Sequence, residues 1–81
     1  MKRRADFAAK VAPNLRDLYP PSPDELDALF NAIQELQGDP ALGVELYYPG
    51  ASSKLYELQV GRYKIHYSFT SRVIVILFIG Y

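Results

Sequence analysis

The sequence contains no cysteine and a single histidine, His66. Without thiols there is no disulfide framework and no thiolate metal site, and one imidazole excludes a multi-histidine metal centre. No metal or cofactor is expected, and such a chain fits the cytoplasm. Long apolar runs are also missing. The longest, Val73 to Ile79, is far too short for a membrane helix, so no membrane partner is expected. The start, MKRR, is basic like the first part of a secretion signal, but ADFAAKVAPNLRDLYPP follows with charges and prolines where an apolar stretch is required. Nor is there an excess of either charge: nine Lys and Arg balance nine Asp and Glu. Nucleic-acid contact is therefore allowed only as a local patch. The charges are unevenly spread. Residues 1–22 hold five basic and two acidic side chains, residues 23–45 six acidic and none basic, and residues 46–81 four basic and one acidic. What is present in quantity is apolar: 49% of the 81 residues are hydrophobic and seven are Tyr, which suits one small globular domain over residues 1–81.

The stretch Leu55 to Tyr81 carries the plainest structural instruction. Tyr56, Leu58 and Val60 alternate with Leu55, Glu57 and Gln59, and Tyr63, Ile65, Tyr67 and Phe69 alternate with Lys64, His66 and Ser68. With Gly61-Arg62 as a two-residue turn, Val60 faces Tyr63, Leu58 faces Ile65 and Tyr56 faces Tyr67 on an apolar side. Gln59 then meets Lys64, and Glu57 meets His66, on the other side; each set pairs with its own kind. Thr70-Ser71-Arg72 turns the chain into Val73 to Ile79, whose unbroken apolar character suits a strand covered on both faces.

Upstream, Phe7, Ala9 and Val11 alternate with polar or small neighbours, a pattern that serves a short edge strand or a helix equally. Ala12-Pro13-Asn14 reads as a helix start, with a turn and a half to Tyr19 before Pro20-Pro21 stops it. Ser22-Pro23-Asp24-Glu25 has the form of a capping box and opens a helix to Gln37, with Leu26, Leu29, Phe30, Ile33 and Leu36 as its apolar stripe and Gly38 as its end. Ala41 to Ser53 reads as a connector with a short extended piece at Val44 to Tyr47. The fold class is α+β: a small antiparallel sheet, a three-stranded C-terminal meander with an N-terminal strand as an option, packed by one short and one long helix.

Three of these features together resemble the RelE/ParE superfamily of bacterial type II toxins: Leu36-Gln37-Gly38-Asp39-Pro40 at the end of the long helix, the hairpin LYELQVGRYKIHY, and the last strand IVILFIGY. The likeness covers about residues 26–81. It implies a sheet clasped by helices, a concave sheet face that holds the catalytic residues in the ribosome-dependent nuclease branch, a cognate antitoxin as partner, and the ribosome with its mRNA as target. Lys64 takes the place of the family Arg that grips the scissile phosphate; it keeps the charge but not the bidentate fork. Gly80-Tyr81 stands where one nuclease subgroup ends in a catalytic His-Tyr pair, so Tyr81 is carried over and the histidine is not. Glu45 is the counterpart for the connector glutamate of that subgroup. The resemblance thus implies growth inhibition by mRNA cleavage or other interference with translation. The alternatives are a gyrase-directed toxin and a catalytically inactive protein-binding module.

Read from the residues, Glu57 and His66 form a candidate acid–base pair for an RNA 2′-hydroxyl, with Lys64 to stabilise the phosphorane. A plain cross-strand ion pair is the simpler account. Tyr47, Tyr48, Tyr56, Tyr63 and Tyr67 suggest base stacking, though alternation assigns the last three to the core. Lys2-Arg3-Arg4 suits an acidic partner or nucleic acid. Val73, Val75, Leu77 and Ile79 form the candidate partner surface, because two helices cover one sheet face only; self-association is the other way to cover it.

Overall fold

The computed structural model describes residues 2–47, 49–50 and 54–81. Its elements are strand β1 (Arg4–Phe7), helix α1 (Val11–Asp17), helix α2 (Pro23–Gly38), a 3-10 turn (Pro40–Leu42), and strands β2 (Val44–Leu46), β3 (Leu55–Val60), β4 (Tyr63–Phe69) and β5 (Val73–Gly80). The strands form one sheet in the order β1-β5-β4-β3-β2. The α+β class and the three-stranded meander are as expected from the sequence. Tyr48 lies outside the described residues.

The hairpin has the register that the alternation requires: Tyr56 opposite Tyr67, Glu57 opposite His66, Leu58 opposite Ile65, Gln59 opposite Lys64 and Val60 opposite Tyr63. Gly61 makes the turn with φ +59°, a conformation that costs glycine nothing. Two additions correct the purely antiparallel expectation. β1 pairs parallel with β5, Arg4 opposite Val73 and Phe7 opposite Ile76, so the sheet is mixed. A parallel pair needs a long connection: here α1 and α2 carry the chain from β1 at one edge of the sheet to β2 at the other, and β3 and β4 bring it back to β5. The extended piece of the connector becomes β2, paired antiparallel with β3 at the far edge.

α1 begins at Val11, earlier than Pro13 suggests, and its Pro falls on the third residue. A missing N–H is harmless there, since the first turn has no intrahelical acceptors to fill. α2 is capped as read: Ser22 Oγ accepts from the Glu25 N–H at 3.2 Å, and the Ser22 N–H donates to Glu25 Oε1 at 3.0 Å. Its apolar stripe is narrower than expected. Leu29, Ala32, Ile33 and Leu36 are buried, but Leu26 stays 38% and Phe30 55% exposed, because the seven-residue α1 is too short to close over that flank.

The core lies between the helices and one sheet face, built from Tyr63, Ile65 and Tyr67 of β4 and Ile74, Ile76 and Ile79 of β5. The last of these depends on a bulge. Tyr67 pairs with Ile76 but His66 pairs with Phe78, so Leu77 is an extra residue in β5. The alternation changes phase there: Ile79 joins Ile74 and Ile76 under the helices, and Phe78 turns to the opposite face. Val73, Val75, Leu77 and Ile79 therefore do not share a face; Ile79 is 2% exposed and Leu77 42%.

Two tyrosine hydroxyls fasten the irregular segments to this core. The Tyr67 hydroxyl donates to the Pro40 carbonyl at 2.6 Å and accepts from the Gly43 N–H at 3.0 Å. Gly43 is required by this closeness, since a Cβ there would meet the Tyr67 ring and stand 2.8 Å from the Glu57 carbonyl oxygen. The Tyr63 hydroxyl donates to the Tyr19 carbonyl at 2.7 Å. Burial raises both phenols above their ordinary value of 10.0, so they stay neutral donors.

The bulge makes a testable distinction between neighbouring apolar residues. Ile79→Ala is expected to cost about 2–5 kcal/mol in urea denaturation. Leu77→Ala is expected to cost less than about 1 kcal/mol, as befits a half-exposed position. Equal costs for the two would contradict the phase change.

Candidate functional site

The helices leave the second face of the sheet open. Its side chains follow from register: Glu57 and Gln59 from β3, Lys64, His66 and Ser68 from β4, Val73, Val75 and Phe78 from β5, and Arg4 and Asp6 from β1. At its middle, His66 Nε2 stands 2.9 Å from Glu57 Oε2. The side chains are 25% and 28% exposed, so the pair is partly withdrawn from water and still open to a ligand. The Phe78 ring lies beside the imidazole, 5.4 Å between centroids, and walls the pair on the β5 side. With the Nε2 proton given to Glu57, the Nδ1 lone pair is free to take another proton. This is how a carboxylate sets the tautomer of a histidine base. Lys64 is exposed on the same face, between Gln59 and Gly80.

The other sequence candidates lie elsewhere. Glu45 sits opposite Tyr56 and thus takes the face away from His66, with its carboxylate 3.9 Å from Lys54 Nζ. Tyr81 packs edge-on against Tyr19 and Tyr63, at 5.0 Å and 5.2 Å between centroids, on the helix side. Gly80 has no room for a histidine: a Cβ there would stand 2.8 Å from the Tyr19 ring and closer still to Phe78. Lys64, His66 and Glu57 are thus brought onto one face, and Glu45 and Tyr81 are not.

Sequence reasoning missed two residues. Phe78 is hidden in an unbroken apolar run, and only the bulge turns it toward His66. Arg62, read simply as a turn residue, forms a two-pronged pair with Glu25, Nε to Oε2 at 2.7 Å and Nη2 to Oε1 at 3.1 Å. Its guanidinium also covers the Tyr81 ring at 4.5 Å. The capping glutamate of α2 thereby ties the hairpin turn and Tyr81 to the helix start; the available signal was a capping carboxylate with one oxygen to spare.

An apolar groove of about 550 Å³ runs between α1, α2 and the β1 edge. Phe7, Val11, Leu15, Leu26, Phe30 and Ile33 are among its walls, and Phe7 is 50% exposed. Among the described residues no cluster of His, Asp or Glu could hold a metal ion, and no helix is long and apolar enough to cross a membrane.

No protein-family model matches the chain, and no curated protein matches it. Among solved structures, a chain of the archaeal RelE–RelB complex from Pyrococcus horikoshii OT3 superposes with a TM-score of 0.77, over 99% of this chain and 94% of that one, at 22% identity. The chain therefore has a RelE-like fold.

The Glu25–Arg62 pair gives a pH prediction. Arg62, helped by the Ser22 N–H, holds the Glu25 carboxyl below its ordinary value of 4.5. A carboxylate with a depressed folded value stabilises above its unfolded value, and loses that contribution as pH falls through the folded one. Glu25→Gln is accordingly expected to lower the melting temperature at pH 7, with the gap to the native chain closing as the pH drops below 4.5. A gap that stays constant into acid would assign it to packing alone.

Proposed function

We propose that this chain is the toxin of a type II toxin–antitoxin module, acting in the cytoplasm, and that it cleaves RNA on the open face of its sheet. The observation that carries the reading is the His66–Glu57 pair, 2.9 Å apart at the centre of the helix-free face of a RelE-like fold, with Lys64 beside it on β4. Here the His66 imidazole, oriented by Glu57, takes the proton of an RNA 2′-hydroxyl. The 2′-oxygen attacks the adjacent phosphorus, a new P–O2′ bond forms, and the P–O5′ bond breaks. The same imidazole returns the proton to the departing 5′-oxygen, leaving a 2′,3′-cyclic phosphate and a 5′-hydroxyl. Lys64 offsets the charge that builds up on the phosphorane oxygens. The fold likeness supports mRNA on the ribosome as the substrate.

The matched structure is a complex of RelE with RelB, which supports an antitoxin as the partner. Its seat in this chain is the groove at Phe7, Leu26 and Phe30, whose shape and apolar walls suit one face of an amphipathic helix. Val73, Val75 and Leu77 offer a second contact on the other side of the sheet. One observation favours a second reading, a binding module without chemistry: Glu45 and Tyr81 stand apart from the His66 pair.

Induced expression in a bacterial culture separates the two. The native chain is expected to stop growth and collapse pulse-labelled protein synthesis, whereas His66→Ala and Lys64→Ala, soluble and folded, leave both intact. Undisturbed growth while the folded native protein accumulates would overturn the nuclease reading in favour of the binding module.

A further inference from the structure

The outer edge of β1 is unfinished. The Arg4 N–H donates to the Arg72 carbonyl at 3.0 Å and the Ala8 N–H to the Ile76 carbonyl at 2.9 Å. In a parallel ladder the residues between face the other way, so the N–H and C=O groups of Ala5 and Phe7 point out of the sheet. Arg3, the next outward residue, is already engaged: its N–H donates to the Gln37 carbonyl and its carbonyl accepts from Gln37 Nε2, each at 2.9 Å. Among the described residues no backbone group pairs with Ala5 or Phe7 on that side, and β1 ends the sheet. Apolar surface adjoins this edge. Leu26, Phe30, Ile33 and Gln37 recur along one flank of α2, and the contact of Gln37 with Arg3 sets that flank beside β1. Phe30 is 55% exposed and lines the same groove as Phe7. An open strand edge bordered by exposed aromatic rings is a template for association.

The edge is complementary to itself. Directly opposed residues of an antiparallel pair exchange both backbone hydrogen bonds, and Gln37 excludes any register that needs Arg3. The register that uses every free group puts Ala5 opposite Phe7 of the other copy and Phe7 opposite its Ala5. On the helix side a large ring then meets a small methyl in both halves of the contact. On the open face Asp6 meets its own counterpart, and each carboxylate is already held by Arg4 through two bonds of 3.1 Å, so the like charges meet as parts of a neutral set. We infer that a second copy of this chain docks on the β1 edge, pairing antiparallel about a two-fold axis at Asp6 to make one continuous sheet. Such an operator closes the assembly at a dimer. A ladder this short gives a reversible dimer at high protein concentration, not an obligate one. The added strands lie in the plane of the sheet, so the His66–Glu57 face stays open. Phe7 and Phe30 also belong to the seat proposed for the antitoxin, and the second copy and the antitoxin therefore exclude each other there.

The test uses the chain alone and does not depend on the nuclease reading. Sedimentation equilibrium over a range of concentrations is expected to show a monomer–dimer equilibrium. In hydrogen exchange followed by NMR, the Ala5 and Phe7 amides are expected to gain several-fold protection as concentration rises, while the Asp6 amide, bonded to β5, is protected throughout. Phe7→Ser, checked for native circular dichroism, is expected to weaken self-association roughly ten-fold. Val44→Ser, at the exposed β2 edge, is the control and leaves it unchanged. The absence of cysteine allows a second measurement that does not rely on a weakened variant. Opposed residues of a non-hydrogen-bonded antiparallel pair have Cα atoms about 4.5 Å apart, within disulfide reach. Asp6→Cys is expected to form a disulfide-linked dimer in air, and Asp27→Cys, on the exposed side of α2, is not. A chain that stays monomeric at every concentration would overturn the inference. So would a dimer in which Val44→Ser is the damaging change, the Ala5 and Phe7 amides exchange as they do in dilute solution, or Asp6→Cys cross-links no faster than Asp27→Cys.

Discussion

The contact between β4 and β5 is the constraint on which the rest of the molecule depends. Their shared apolar face, Tyr63, Ile65 and Tyr67 against Ile74, Ile76 and Ile79, is the floor on which both helices rest. β1 can add only to the free side of β5, and β3 only to the free side of β4. Large-to-small changes in such a floor are felt throughout, because close-packed interiors collapse only in part around a void. The same contact contains an irregularity, the extra residue Leu77. A strand that must pair along its length with β4 and still keep Ile79 under α1 and α2 cannot alternate without interruption.

That interruption links the core to the open face of the sheet. By changing phase at Leu77, β5 puts Ile79 into the core and Phe78 beside His66. The imidazole then has a carboxylate on one flank and an aromatic wall on the other. The open face offers both the partly desolvated His66–Glu57 pair and exposed cations, and these lie at different points along the strands: Lys64 near one end, Arg4 of β1 at the other. Proximity along a rigid strand is what positions such groups, since strand residues move less than those on loops.

The helical side has its own logic. A capping carboxylate at the start of α2 is shared with Arg62, so that helix start, hairpin turn and Tyr81 are fastened at one point. The pair is exposed enough that solvent and salt weaken it, and its worth lies in orientation more than in energy. The short α1 leaves Leu26 and Phe30 uncovered, and an apolar groove of this kind in a small domain is a place where a partner is expected. The open sheet face and the groove lie on opposite sides of the sheet, so a partner seated in the groove would leave the His66–Glu57 pair uncovered.

Much was legible in the residues alone. Strict alternation on both sides of Gly61 determines the hairpin register, because a slip of one residue would turn every apolar side chain to the wrong face; the Glu57–His66 juxtaposition follows from that register with no further information. The capping box of Ser22 and Glu25 determines where α2 starts, since its hydrogen bonds are local. Tertiary structure decided what no local pattern encodes. An all-apolar run such as Val73 to Ile79 has no alternation in which a bulge could show, so the sides taken by Phe78 and Ile79 were open until β4 paired with it. The parallel seating of β1 depends on a connection that crosses the sheet through two helices and returns through β2, β3 and β4, and that seating brings Arg4 to the end of the sheet where Lys54 and Arg72 lie. These residues are up to 68 positions apart in sequence, and only the pairing of strands, set by burial of the common core, makes them neighbours.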